Sequence, residues 1–232
     1  MYAHFFKRVF DVTASLLALL LLSPVLLLLV IVGAIAMKGN PFFTQQRPGK
    51  INKKTGQEEI FRLIKLRTMT NEKDKDGNLL PDEKRLGRYG KWLRNTSLDE
   101  LFELINIIKG DMSIVGPRPQ LVRDMVFMTE GERVRHTVRP GLTGLAQCNG
   151  RNNMTWEKKF EYDLAYIEKG ITFVEDVKII FKTAFKVLKS EDIHTEGMAT
   201  AQDLGDYLLH AGKITQEEYD SKQLEAERLM KV

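Results

Sequence analysis

Residues 12–37 carry no charged side chain, within the stretch VFDVTASLLALLLLSPVLLLLVIVGAIAM. A run this apolar is not stable in water. As one straight helix it would be ~39 Å long, against a bilayer hydrocarbon core of ~30 Å. A cleaved secretory signal does not fit, because the run is long, lacks a convincing A-x-A site and leads straight into a basic segment. It reads as a retained membrane element, which holds the rest of the chain at a membrane surface.

Two details argue against an ordinary span. Ser23 and Pro24 fall at the middle of the run. A proline there removes a backbone hydrogen bond and clashes with the preceding turn, so a bend is expected. The flanks are basic on both sides, with Lys7 and Arg8 before and Lys38, Arg47, Lys50, Lys53 and Lys54 after. Positive charge marks the cytoplasmic side, so both ends belong there. A re-entrant helix-break-helix that enters one leaflet and returns satisfies both signals; a kinked single span satisfies the first.

The remaining length, in a chain of 232 residues, has room for one ordinary domain with attachments. The single cysteine, Cys148, excludes an internal disulfide and a CxxC metal site, and reads as a small buried hydrophobe. His194 and His210 are isolated, so they give no metal cluster. The net charge of +4 is modest. Its basic residues are interrupted by membrane-type sequence and form no recognition motif, which argues against nucleic acid.

After the anchor, KGNPFFTQQRPGK is turn-rich, and EEIFRLIKLRTM reads as a strand with Lys65 and Arg67 on one side. Residues 70–84 form a polar surface loop, and RLGRYGKWLRNT sets Tyr89 and Trp92 among cations, as a membrane interface or a core would use them. In VGPRPQ the prolines restrict the backbone on either side of Arg118. RPGLTGLAQCNGRNN is irregular and ends in Arg151 and two asparagines. The helix TWEKKFEYDLAYIEKG would bury Trp156, Phe160, Leu164 and Ile167. The next helix carries a stripe of Lys178, Lys182, Lys186 and Lys189, suited to solvent or to anionic lipid. The last forty residues read as a helical hairpin around AGKIT.

The segment NTSLDELFELINIIKGDMSIVGPRP puts Asp99 and Glu100 at the first turn of a helix. Ser97 and Glu100 have the spacing of a capping box. Leu98, Leu101, Phe102, Ile105 and Ile108 would face inward, and Gly110 would end the helix. Capping alone explains the pair. Yet the cations at 65, 67, 94, 118 and 151 have few acidic counterparts beyond these two carboxylates. That balance suits a phosphorylated substrate, with a carboxylate able to act as nucleophile and to share a divalent ion with phosphate oxygens.

Taken in order, KRVFD with its apolar run and SP, FTQQRPGK, IKLRTM, RNTSLDELFELINIIKGDMSIVGPRP, VRPGLTG with AQCNGRN, and EDVKIIFKT resemble the small monotopic bacterial polyprenyl-phosphate phosphoglycosyl transferases. The resemblance implies an α+β, mostly helical fold. It implies a re-entrant anchor over residues 1–40, a cytoplasmic catalytic domain of amphipathic interfacial helices and a short β element over 41–190, and an appended hairpin over 191–232. It implies that Asp99 attacks a UDP-sugar with Mg²⁺ at its carboxylate, and that Glu100 completes a dyad in which it is a candidate base. Lys65, Arg67, Arg94 and Arg118 would hold phosphate oxygens, and Arg151 the nucleotide sugar. Ser23 and Pro24 match the membrane break. The sugar, an N-acetylated amino or deoxyamino sugar, would pass to undecaprenyl phosphate at the cytoplasmic face of the bacterial inner membrane. Anionic lipid and a homodimer are the expected partners. A non-catalytic membrane-anchored module that binds nucleotide sugars or partner proteins is the competing reading, and it leaves Asp99 and Glu100 as caps.

Overall fold

The computed structural model describes residues 2–150, 154–189 and 202–231. After a π-helical turn at Tyr2–Phe6, helix α1 runs Lys7–Ala36. The expectation of a helix-break-helix is corrected in one respect: helical hydrogen bonding continues through Ser23 and Pro24. Pro24 has no N–H for the Leu20 carbonyl four residues back. The Ser23 hydroxyl donates to that oxygen instead, at 2.8 Å.

One stripe of α1 lies against the rest of the chain from end to end. Lys7, Asp11, Ser15, Leu26, Leu29 and Gly33 are buried, at the spacing of one helical face. Near its start Lys7 Nζ meets Asp176 Oδ2 at 2.6 Å, and Asp11 Oδ2 accepts from Ser113 Oγ at 2.6 Å. Toward its end Tyr89 Oη donates to the Leu29 carbonyl at 2.8 Å, and Leu26 and Leu29 pack with Leu66 and Leu93. The opposite face, including Leu20, Leu21, Leu28 and Ile35, is exposed and apolar.

Strands β1 (Phe42–Ile51) and β2 (Glu58–Leu66) form an antiparallel hairpin, with Phe42 opposite Leu66 and Phe43 opposite Lys65. The register shifts between Pro48 and Ile51, where a proline that cannot donate is tolerated. The polar loop contains the single turn α2 (Asp82–Arg85) and leads into α3 (Arg88–Thr96). Gly90 brings α3 so close to the end of β2 that a Cβ there would stand 1.8 Å from the Thr68 carbonyl oxygen.

The Asp99 segment is not one helix. A 3₁₀ turn at Leu98–Phe102 precedes α4 (Glu103–Lys109), which Gly110 closes at φ 105°. The tighter 3₁₀ turn changes the angle at which α4 presents its side chains. Leu104 and Ile107 therefore enter the core beside Phe61, Leu63 and Met112, rather than Ile105 and Ile108. Leu98, Leu101 and Phe102 are partly buried in the cluster beneath α1.

Strand β3 (Ser113–Val115) pairs in parallel with β4 (Gly141–Thr143), and α5 (Val122–Met125) and α6 (Glu130–Arg133) lie between them in the chain. The short α7 (Gln147–Gly150) contains the buried Cys148. Helix α8 (Trp156–Glu168) buries Trp156 and Phe160 as its pattern predicts, and then Asp163 and Tyr166 in place of Leu164 and Ile167. Both polar groups go inward because partners wait there. Asp163 pairs with Arg135 at 2.7 Å, and Tyr166 Oη donates to Asp176 at 2.6 Å. Asp176 belongs to α9 (Phe173–Lys189).

Helices α10 (Leu204–His210) and α11 (Gln216–Met230) form the hairpin at the C-terminal end. Leu204 and Ala226 join Val122, Met125, Phe127 and Trp156 in one apolar cluster.

Candidate active site

Four pieces of backbone converge on the two adjacent carboxylates. The end of β2 carries Lys65, the last turn of α3 carries Arg94, the 3₁₀ turn carries Asp99 and Glu100, and the loop after β3 carries Arg118. Ser97 makes no side-chain cap, which corrects the capping-box expectation. At φ 55° it is left-handed and closes α3 while the next turn begins. Glu100 is instead forked by Arg118, with Nη2 to Oε1 at 2.5 Å and Nη1 to Oε2 at 3.5 Å.

The loop that holds Arg118 is rigid for identifiable reasons. Gly116 donates to the Thr143 carbonyl and Gly141 to the Pro117 carbonyl, both at 2.9 Å. A Cβ on Gly116 would meet the Arg139 carbonyl oxygen at 2.4 Å, so only glycine allows this approach. The Arg118 carbonyl accepts from Arg135 at 2.6 Å, and the Pro119 carbonyl accepts from Arg47 at 3.2 Å. Arg135 is itself buried and paired with Asp163. The Arg118 side chain, 45 % exposed, thus reaches outward from a fixed base.

Asp99 is only 5 % exposed. Burial, and after it the neighbouring Glu100, push its carboxyl up to about 6, while Lys65, Arg118 and Arg94 pull it down. Neutral pH lies on the ionised side of that value. Lys65 lies opposite Phe43, with Nζ 5.8 Å from the ring centroid; burial depresses its pKa while Asp99 and Glu100 raise it. Arg94 Nε donates to Thr68 Oγ1 at 3.1 Å. Glu100 raises the pKa of Arg118, which stays charged throughout.

The family model for bacterial sugar transferases matches residues 2–190. The chain belongs to the bacterial sugar transferase family. This agrees with the resemblance to polyprenyl-phosphate phosphoglycosyl transferases read from its motifs. Among relatives, a sugar transferase of Bacillus subtilis, EpsL, described as uncharacterized, is 45 % identical over 196 residues, which is 84 % of this chain and 94 % of the relative. A UDP-glucose:undecaprenyl-phosphate glucose-1-phosphate transferase of Klebsiella pneumoniae is 40 % identical over 189 residues, 78 % of this chain and 40 % of the relative. An undecaprenyl-phosphate galactose phosphotransferase of Salmonella typhimurium is 32 % identical over 208 residues, 82 % of this chain and 42 % of the relative. The chain thus spans about two fifths of the length of the last two.

Within this sugar transferase, Glu100, Lys65, Arg118 and Arg94 all act electrostatically on Asp99. Arg67 lies just beyond β2 and is not among the charges acting most strongly on Asp99; its backbone N–H donates to the Pro41 carbonyl at 2.7 Å. Arg151 lies outside the described residues. Two site residues escaped the sequence reading. Glu103, 3 % exposed, is pushed up to about 8 by burial and then by Glu100, and holds its proton at neutral pH. Its spacing of three and four residues from Glu100 and Asp99 was a legible signal. Arg47, read only as a basic flank, stands beside Arg118 and is pushed down to about 10 by burial and by that neighbour.

Asp99 suits Mg²⁺ as an ionised oxygen donor, while Glu100 is already engaged by Arg118. No group of three His, Cys, Asp or Glu side chains among the described residues is arranged to hold a metal. Were Mg²⁺ to bind here, Asp99 is the carboxylate that would hold it.

Proposed function

We propose that this chain transfers a sugar 1-phosphate from a UDP-sugar to undecaprenyl phosphate, releasing UMP and giving undecaprenyl-diphosphate-sugar. The observation that carries the reading is Asp99, a buried carboxylate ionised at neutral pH among Lys65, Arg94 and Arg118, in a member of this family. The relatives named for glucose-1-phosphate and galactose phosphate transfer support the reaction class.

In the first step an Asp99 carboxylate oxygen bonds to the β-phosphorus of the UDP-sugar. The bond from that phosphorus to the bridging oxygen breaks, and UMP leaves with the oxygen. Lys65, Arg94 and Arg118 neutralise charge on the phosphate oxygens as the bonds change. In the second step an oxygen of undecaprenyl phosphate attacks the same phosphorus, and the bond to Asp99 breaks. Glu100, oriented by Arg118, accepts a proton from undecaprenyl phosphate if that phosphate arrives protonated. When bound, Mg²⁺ supplies further positive charge to Asp99 and the phosphate oxygens. Splitting the reaction means that a water-soluble and a membrane-bound substrate never need the site together.

Intact-mass spectrometry with UDP-sugar and Mg²⁺, without undecaprenyl phosphate, should show a sugar phosphate adduct that Asp99→Asn lacks. Initial rates should give parallel double-reciprocal lines. Intersecting lines, or an adduct that survives in Asp99→Asn, would overturn the covalent step. Absence of UMP release with every sugar would leave a binding module. The family resemblance favours an N-acetylated amino or deoxyamino sugar and the named relatives use glucose or galactose, so the panel holds both kinds.

We also propose that α1 lies in the cytoplasmic leaflet of the inner membrane without crossing it. Its buried stripe stays on the domain at both ends while the opposite apolar face is free for lipid, and both flanks are basic. In a Cys148→Ser background, a cysteine inserted after Met1 and one at Lys53→Cys should both resist an impermeant thiol reagent on intact cells. Labelling of either sinks this topology.

A further inference from the structure

One concavity among the described residues lies away from Asp99. A cavity of about 240 Å³ opens beside the start of α1, lined by Lys7, Arg8, Asp11, Lys50, Arg139 and Ile171 among others. It lies at the other end of α4, whose seven residues separate it from Glu103 by ~10 Å. It far exceeds the ~10–15 Å³ that admits one water.

Its charges are unbalanced. Lys7 pairs with Asp176 at 2.6 Å and lies 3.9 Å from Asp11, which also accepts from Ser113 Oγ and the Ile114 N–H; against these two carboxylates stand Lys7, Arg8, Lys50 and Arg139, so cations remain in excess. Arg8 donates to the Ile107 and Ile108 carbonyls at 2.5 and 2.9 Å, and Arg139 Nε to the Gly110 carbonyl at 2.8 Å. Neither guanidinium has a carboxylate at ion-pair distance among the described residues. Lys50, half-buried, has neither a side-chain hydrogen bond nor an ion pair among them. Burial, then Arg139 and Lys53, depress its pKa, and Glu59 opposes them. Gathering three such groups around a roomy cavity costs free energy that an anion would offset.

The surroundings indicate where the anion comes from. Phe5, Phe6, Phe173 and Val174 are exposed, on the turn that supplies Ala3 and on the segment just after Ile171, both lining the cavity. Tyr2 and Phe10 hold Phe173 edge-on at 5.8 and 5.6 Å. Apolar rings beside a cationic cavity match the boundary between acyl chains and headgroups.

We propose that this cavity is a second anion site, distinct from the Asp99 centre, that takes the phosphate of an anionic lipid headgroup through Lys50, Arg139 and Arg8. The lipid source rests on the membrane reading of α1; the phosphate chemistry does not. A lipid held there would fix the N-terminal end of α1 against the bilayer.

Full-length protein in neutral detergent tests this by native mass spectrometry and thermal shift. The probes are a short-chain phosphatidic acid, phosphatidylcholine of the same chain length, and inorganic phosphate. Wild type should bind phosphatidic acid at least tenfold more tightly than phosphatidylcholine, with millimolar phosphate competing. Lys50→Gln should weaken phosphatidic acid binding about tenfold, the loss of one charge-assisted contact. Lys50→Arg should restore it, Lys53→Gln should leave it intact, and UMP release should be unchanged in Lys50→Gln. No preference over phosphatidylcholine, or equal weakening in Lys53→Gln, overturns the site. Inorganic phosphate binding as tightly as phosphatidic acid overturns the lipid source. If Lys50→Gln does not fold, failure of phosphate to compete on the wild type decides against the proposal.

Discussion

Glu103 gives the sharpest test of the site's electrostatics, because its proton should be visible in stability. In the folded chain its carboxyl is pushed up from an ordinary 4.5 to about 8, by burial and then by Glu100. Below pH 4.5 it is protonated in the folded and unfolded chain alike. Between 4.5 and 8 only the folded chain holds the proton, so stability falls as pH rises, and above 8 the loss is complete. At about 1.4 kcal/mol per pH unit this window sets a ceiling of about 5 kcal/mol. Glu103→Gln keeps the shape and never ionises. It should match wild type near pH 5 and exceed it progressively toward pH 9, by at most about 10–20 °C in midpoint for a chain of this size. Thermal scans at one fixed rate, followed by tryptophan fluorescence with the buried Trp156 as reporter, measure the difference from pH 5 to 9. Other raised carboxylates contribute equally to both proteins, so only the divergence counts. If the two midpoints fall in parallel, Glu103 does not hold the proton and the burial argument fails.

With Asp99 pushed up to about 6, kcat/KM should fall tenfold per pH unit below that value; an acid limb centred near 4 would show a less buried nucleophile. Arg118→Lys loses the fork on Glu100 and should lower turnover at least tenfold while changing stability by less than about 1 kcal/mol, because the pair is partly exposed; UMP release and a thermal scan check both. Gly90→Ala places a Cβ 1.8 Å from the Thr68 carbonyl oxygen and so displaces α3, which carries Arg94; a soluble, fully active variant would contradict the packing described.

Much of this protein is determined by local sequence. The uncharged run dictates a long apolar helix, the Ile- and Leu-rich stretch a strand that carries Lys65 near its end, and AGKIT the turn of a helical hairpin. Asp99, Glu100 and Arg118 were legible as a candidate charged cluster because charge density and proline spacing are properties of neighbours in the chain. Tertiary structure decided the rest. That Arg118 forks Glu100 depends on a loop 18 residues further along the chain being brought back to the 3₁₀ turn. Asp163 and Tyr166 turn inward only because Arg135 and Asp176 meet them there, from 28 and 10 residues away in the chain. The rise of Glu103 above neutral pH comes from burial and from facing carboxylates, and periodicity reports which side of a helix a residue occupies but not what the fold places against it.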